Sequence, residues 1–152
     1  TERFGGDTGT NNFLEAASEA AERIAVDFDE EWGGFKRAPK FVMPSVWHFL
    51  LRQYYLSGNP TYPEQVFLTL NRITLGGLYD WVGGGFTRYS VDEKWFAPHF
   101  EKMLYDNAQI IDWLAKLNLY QPKALFYQRV EQTIDWLQQE LMLPELSVFQ
   151  SQ

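Results

Sequence analysis

Between Asp80 and Asp106 the sequence gathers groups able to move protons or hold a ring: Asp80, Arg88, Tyr89, Asp92, Glu93, Trp95, His99, Glu101, Lys102, Tyr105 and Asp106. Chemistry on a sugar needs aromatic faces to cover the ring and carboxyl or imidazole groups to give and take protons. This segment supplies both. His99, Glu101, Asp106, Asp80 and Asp92 are the candidate catalytic groups, because two carboxyls on opposite sides of a ring can act as acid and base. Trp95, Arg88 and Tyr89 are candidate substrate-binding groups, joined by Trp32, Phe35 and Lys40 from an earlier stretch of similar composition; Trp81 is a further stacking candidate.

Each has a plain structural alternative. His99 can bond a neighbouring loop from the start of a helix, and Glu101 is favoured in a first helical turn by the dipole alone. Lys102 and Asp106 at i, i+4 can form an ordinary solvated pair. His48, flanked by Trp47 and Phe49, reads as a core or interhelical histidine, and Trp113 and Trp136 as packing groups.

Other chemistries are excluded or disfavoured. The chain has no cysteine, so it can form no disulfide, thiolate nucleophile or cysteine-ligated metal site. Its two histidines lack HExxH spacing, and neither a metal nor a cofactor is expected. The glycines are followed by no GK[ST] and sit in no βαβ unit, which argues against a phosphate loop. A net charge of -7 disfavours a nucleic-acid backbone as partner. No apolar run is long enough to span a membrane, and Thr1 to Asp7 holds no signal-peptide h-region, so the chain reads as soluble and cytoplasmic. It begins without Met, as a processed or excised polypeptide would.

At 152 residues, one core is the expectation. Five segments carry a helical period, so the class is all-α. The first runs from Asn12 to about Glu30 with Phe13, Ala17, Ala20, Ile24 and Phe28 inward and Thr10, Asn11 or Asn12 as N-cap. The second starts at Ser45 and stops at Ser57-Gly58. The third opens at Pro60-Thr61 and ends at Gly76-Gly77. The fourth follows Pro98 and ends near Tyr120, and the fifth spans Lys123 to Leu143. If the fourth includes position 99, then His99, Lys102 or Met103, and Asp106 share a face. No core strand is expected. Short links between the second and third helices, and between the fourth and fifth, make those pairs antiparallel and bring the two long loops to one end.

The long loops repeat one another. WGGFKRAPKF (Trp32 to Phe41) is matched by GGGFTRY (Gly83 to Tyr89) and WFAPHF (Trp95 to Phe100), with an insertion at Ser90 to Lys94. Arg37 and Arg88 occupy matching places, which suggests a shared structural task. A helical-hairpin repeat with decorated loops at one end is the pattern of an α/α toroid, and five helices are a little under half of twelve. Such a piece leaves helix flanks uncovered and is expected to self-associate.

The string GGGFTRYSVDEKWFAPHFEKMLYDNA (Gly83 to Ala108), with GGFKRAPKF (Gly33 to Phe41), resembles the YyaL-like family of spermatogenesis-associated thioredoxin-domain proteins. The likeness covers about Asp27 to Leu143. It implies the N-terminal part of an α/α six-hairpin toroid, similar to N-acylglucosamine 2-epimerases and six-hairpin glycosidases, with the family's thioredoxin-like domain absent and residues 144–152 departing from it. It further implies a carbohydrate or other small-molecule ligand and an epimerase-, isomerase- or glycosidase-like pocket that this piece alone does not complete. In an epimerase-like reaction His99 would abstract or return a proton beside a carbonyl. The rival expectation is a non-catalytic scaffold whose aromatic loops form a protein interface.

Overall fold

A computed structural model describes residues 8–143 and 148–149 of the chain. Five helices dominate it: α1 (Thr8–Val26), α2 (Pro44–Ser57), α3 (Thr61–Leu75), α4 (Leu104–Tyr120) and α5 (Ala124–Glu140). The all-α expectation holds, with four two-residue strands added: β1 (Lys40–Phe41), β2 (Tyr89–Ser90), β3 (Met142–Leu143) and β4 (Val148–Phe149). The expected departure beyond Leu143 falls mostly outside the described residues.

The punctuation behaves as its chemistry requires. Pro44, whose missing N–H costs nothing in a first turn, opens α2, and Gly58 at φ 70 closes it by donating to the Tyr54 carbonyl. The Asn59 side chain accepts from the Thr61 N–H as α3 begins. The short link after α4 is held by the Lys123 N–H on Asn118 Oδ1. Helices α2 and α4 lie side by side in one layer, backed by their hairpin partners α3 and α5. Between the layers are Trp47, Leu50, Val66, Leu70, Ile73, Ile110, Trp113, Leu114 and Phe126, all buried. The rings of Trp47 and Trp113 stack across α2 and α4 with centroids 6.2 Å apart, so removing either is expected to cost about 3–5 kcal/mol.

Three expectations about helices are corrected. The fifth helix ends at Glu140, and Met142–Leu143 form β3 instead of its last turn. The first helix ends at Val26 and packs through Ala21, Ile24 and Ala25, leaving Phe13 73% exposed. The fourth helix begins only at Leu104, because residues 98–101 run extended: the His99 N–H donates to the Tyr89 carbonyl and the Arg88 N–H to the Glu101 carbonyl. His99 and Asp106 therefore do not share a helical face. Lys40 pairs with Ser90 and Phe41 with Tyr89 in an antiparallel ladder, and Ser90 bridges to Pro98 on its other side. This small ladder sews the long loops together at one end of the helices, as the alternation of link lengths predicts. No helix among the described residues is long and apolar enough to cross a membrane.

Candidate functional site

The two long loops close by the same device. In the first, Asp29 Oδ1 accepts the N–H groups of Glu31 and Trp32, and Asp29 Oδ2 lies 2.6 Å from Lys40 Nζ. Lys40 also donates to the Gly33 carbonyl, and a single antiparallel bridge joins Phe28 to Phe35. In the second, Asp80 Oδ1 accepts from Val82 and Gly83, and Asp80 Oδ2 lies 2.7 Å from Lys102 Nζ. Lys102 donates to the Gly84 carbonyl, and Tyr79 bridges to Phe86. Each ammonium also sits over an indole, Lys40 5.2 Å from Trp95 and Lys102 4.9 Å from Trp136. Lys102 is thus spent on Asp80 rather than on Asp106.

Beyond the repeat the second loop carries more. Asp92 gathers the N–H groups of Lys94, Phe96 and Ala97 into a tight knot. The chain then returns beside β2, where His99 stacks on Tyr89 with centroids 4.6 Å apart, and Tyr89 in turn meets Phe41 at 4.7 Å. Arg88 leaves this ladder toward the start of α4, 3.7 Å from Glu101 Oε2 and 4.0 Å from Asp106 Oδ2. Phe41, Pro44, Arg88, Tyr105, Asp106 and Gln109 line a cavity of about 210 Å³ there. Asp106 Oδ2 is buried with no hydrogen-bond partner among the described residues.

Electrostatics separates the carboxyls. Lys102, together with the Gly83 and Val82 N–H groups, lowers Asp80 to about 2. Burial works to raise Asp92, but its three backbone donors win and hold it below the ordinary value. Asp106 goes the other way: burial raises it, against the opposing pull of Arg88. A carboxyl whose pKa burial raises is better placed to take and return a proton than one held ionised by fixed donors.

The expected site residues therefore divide. Arg88, Glu101, Asp106, Tyr89 and His99 come together around β2 and the start of α4. Asp80 and Asp92 hold loops. Trp95 and Lys40 are fully buried, with Trp95 Nε1 bonded to the Trp32 carbonyl. The Trp32 ring has Arg72 5.0 Å and Lys94 5.6 Å from its centroid, and Phe35 packs 5.5 Å from Trp47. Arg37 takes no part like that of Arg88; it lies 5.4 Å from the Phe35 ring, so the shared position does not carry a shared task.

His48 is interhelical rather than core, reaching from α2 toward α4. It is part-exposed on the α2 surface, 3.5 Å from Asp112 Oδ2, with Lys116 Nζ 2.6 Å from the same oxygen. Burial and Lys116 lower its pKa, so it stands neutral at pH 7. The i, i+4 pair Asp112–Lys116 was the available signal for a polar face on α4. Among the described residues no group of three or more His, Asp or Glu is placed to hold a metal.

Comparison with known proteins agrees with the sequence resemblance. Spermatogenesis-associated protein 20 of Homo sapiens is 50% identical over 94 residues, and that of Rattus norvegicus 46% over 98 residues. The matches cover 59% and 61% of this chain, which spans only 12% of either relative. No family model matches. Among solved structures, a sugar epimerase from a ruminal bacterium superposes with a TM-score of 0.73 at 14% identity, over 91% of this chain and 39% of that one. Cellobiose 2-epimerase from Spirochaeta thermophila gives 0.69 at 20% identity, over 95% and 41%. The fold is thus part of an α/α toroid of the six-hairpin epimerase type.

Proposed function

We propose that the loop end of this toroid segment is part of a carbohydrate pocket with epimerase-like proton-transfer chemistry. The observation that supports this most directly is Asp106, half-buried and with no hydrogen bond on Oδ2 among the described residues, lining a cavity together with Arg88. A sugar hydroxyl in that cavity would donate to the Asp106 carboxylate, while Tyr105 and Phe41, at the end of the Phe41–Tyr89–His99 stack, offer ring faces.

In this reading the proton on the carbon beside a sugar carbonyl passes to Asp106. The C–H bonding pair becomes a C=C bond as the carbonyl π pair moves onto oxygen, whose charge Arg88 stabilises. A proton returned to the opposite face of the planar carbon inverts it, and His99 is the second proton carrier available. The epimerase names of the structural neighbours favour this reaction class over glycoside hydrolysis.

The test is ligand-observed NMR on the chain with N-acetylglucosamine, mannose and cellobiose, together with deuterium exchange at C2 in heavy water. Binding that disappears in Asp106→Asn and Arg88→Gln is the expected result. Failure of every sugar to bind a folded chain overturns the proposal.

A further inference from the structure

A second, larger cavity lies along the outer surface of α2 and α4. It is a groove of about 810 Å³, within the range that holds drug-sized ligands, and Ser45 lines both it and the Asp106 cavity, so the two are neighbours along α2. Tyr54, Tyr55 and Tyr120 supply aromatic faces; Tyr54 meets Tyr120 edge-on at 6.0 Å across the helix gap. Three basic side chains, His48, Arg52 and Lys116, line the same groove. Lys116 is matched by Asp112 and His48 stands neutral, but Arg52 makes no ion pair and no side-chain hydrogen bond among the described residues.

On a chain of net charge -7, Arg52 brings to this tyrosine-lined groove a guanidinium with no ion pair among the described residues. A guanidinium offers two parallel N–H groups, a geometry that suits a carboxylate better than a hydroxyl. Three phenol rings suit the apolar faces of a pyranose. We infer that this groove is an acidic-sugar subsite: Arg52 holds the carboxylate of a uronic-acid unit while the adjoining unit of the same oligosaccharide reaches the cavity of Arg88 and Asp106. The inference rests on the carbohydrate reading of that cavity and narrows its substrate class to uronate-bearing oligosaccharides.

The experiment titrates the chain with digalacturonate, neutral cellobiose and 2-naphthoate, in low salt and at about 0.5 M salt, in wild type, Arg52→Gln and Asp106→Asn. Digalacturonate is expected to bind at least about tenfold more tightly than cellobiose in low salt, with the advantage shrinking as salt screens it. Arg52→Gln should abolish that advantage and leave cellobiose unchanged, whereas Asp106→Asn should abolish the binding of both sugars. Equal binding of the two sugars, or an advantage that survives Arg52→Gln, overturns the acidic subsite and leaves the carbohydrate reading intact. Binding of neither sugar overturns the carbohydrate reading itself. Naphthoate binding as tightly as digalacturonate would overturn the sugar assignment of the groove. Arg52 is exposed and pairs with nothing among the described residues, so its replacement does not threaten the fold.

Discussion

The Asp29 and Asp80 loops tie the same knot at different depths. Lys40 is 1% exposed and its aspartate 13%; Lys102 is 16% exposed and its aspartate 37%. Lys40 makes a third bond, to the Glu93 carbonyl of the other loop, and Gly34 donates to Thr69 Oγ1 on α3. The second loop is anchored instead by Asn107, which exchanges two hydrogen bonds with the Phe86 backbone. The first loop is thus a keystone that the second leans on. The second is left with free length after its knot, and in that length lie Arg88, His99 and the approach to Asp106. A repeated motif can be structural in one copy and carry a site in the other, because the buried copy has no polar group to spare.

The sharpest way to break this contrast is Lys40→Met against Lys102→Met. Removing one partner of the buried pair is expected to cost about 3 kcal/mol in urea unfolding, and of the more exposed pair about 1 kcal/mol. Equal losses would end the distinction of depth. The glycines sharpen what is shared: Gly34 and Gly85 sit at φ +71 and +79, and an added Cβ would meet Trp95 or Trp136 at 2.6 Å in either case. Alanine at each should cost about 2 kcal/mol or more, to a similar degree. A tolerated Gly85→Ala would show that the outer loop gives way where the inner cannot.

Acid titration separates the carboxyls of the second loop. Asp80, lowered to about 2 from an ordinary 3.8, contributes stability above pH 3.8 that is lost as pH falls toward 2. Asp80→Asn should therefore lose less stability than wild type between pH 4 and pH 2, and identical slopes would contradict a stabilising role for the Asp80–Lys102 pair. Asp106 has the opposite sign. Its raised pKa means that ionisation opposes folding above pH 3.8, so Asp106→Asn should raise the melting temperature at pH 7 by about 1–3 °C while abolishing sugar binding. The smallest effect on stability is expected from Arg37→Gln and Arg88→Gln, both within about 0.5 kcal/mol of wild type. Of the two, only Arg88→Gln should lose the sugar.

Much of the architecture is readable in the chain because it is local. The spacing of Val66, Leu70 and Ile73, the stops at Gly58 and Gly76, and the alternation of short and long links follow from helical geometry and backbone chemistry, and the doubled Gly-Gly-Phe-x-Arg announces the paired loops. The sequence alignment of Ala-Pro-Lys with Ala-Pro-His set Lys40 opposite His99. In space the counterpart of Lys40 is Lys102, since an ion pair depends on where a side chain ends rather than on its place in a motif. The same holds for the carboxyls. Composition identifies Asp80, Asp92, Glu101 and Asp106 as equal candidates, and nothing local ranks them. Only the fold distributes backbone donors to two of them and buries the last beside Arg88, because desolvation and hydrogen bonding are set by what distant segments bring alongside.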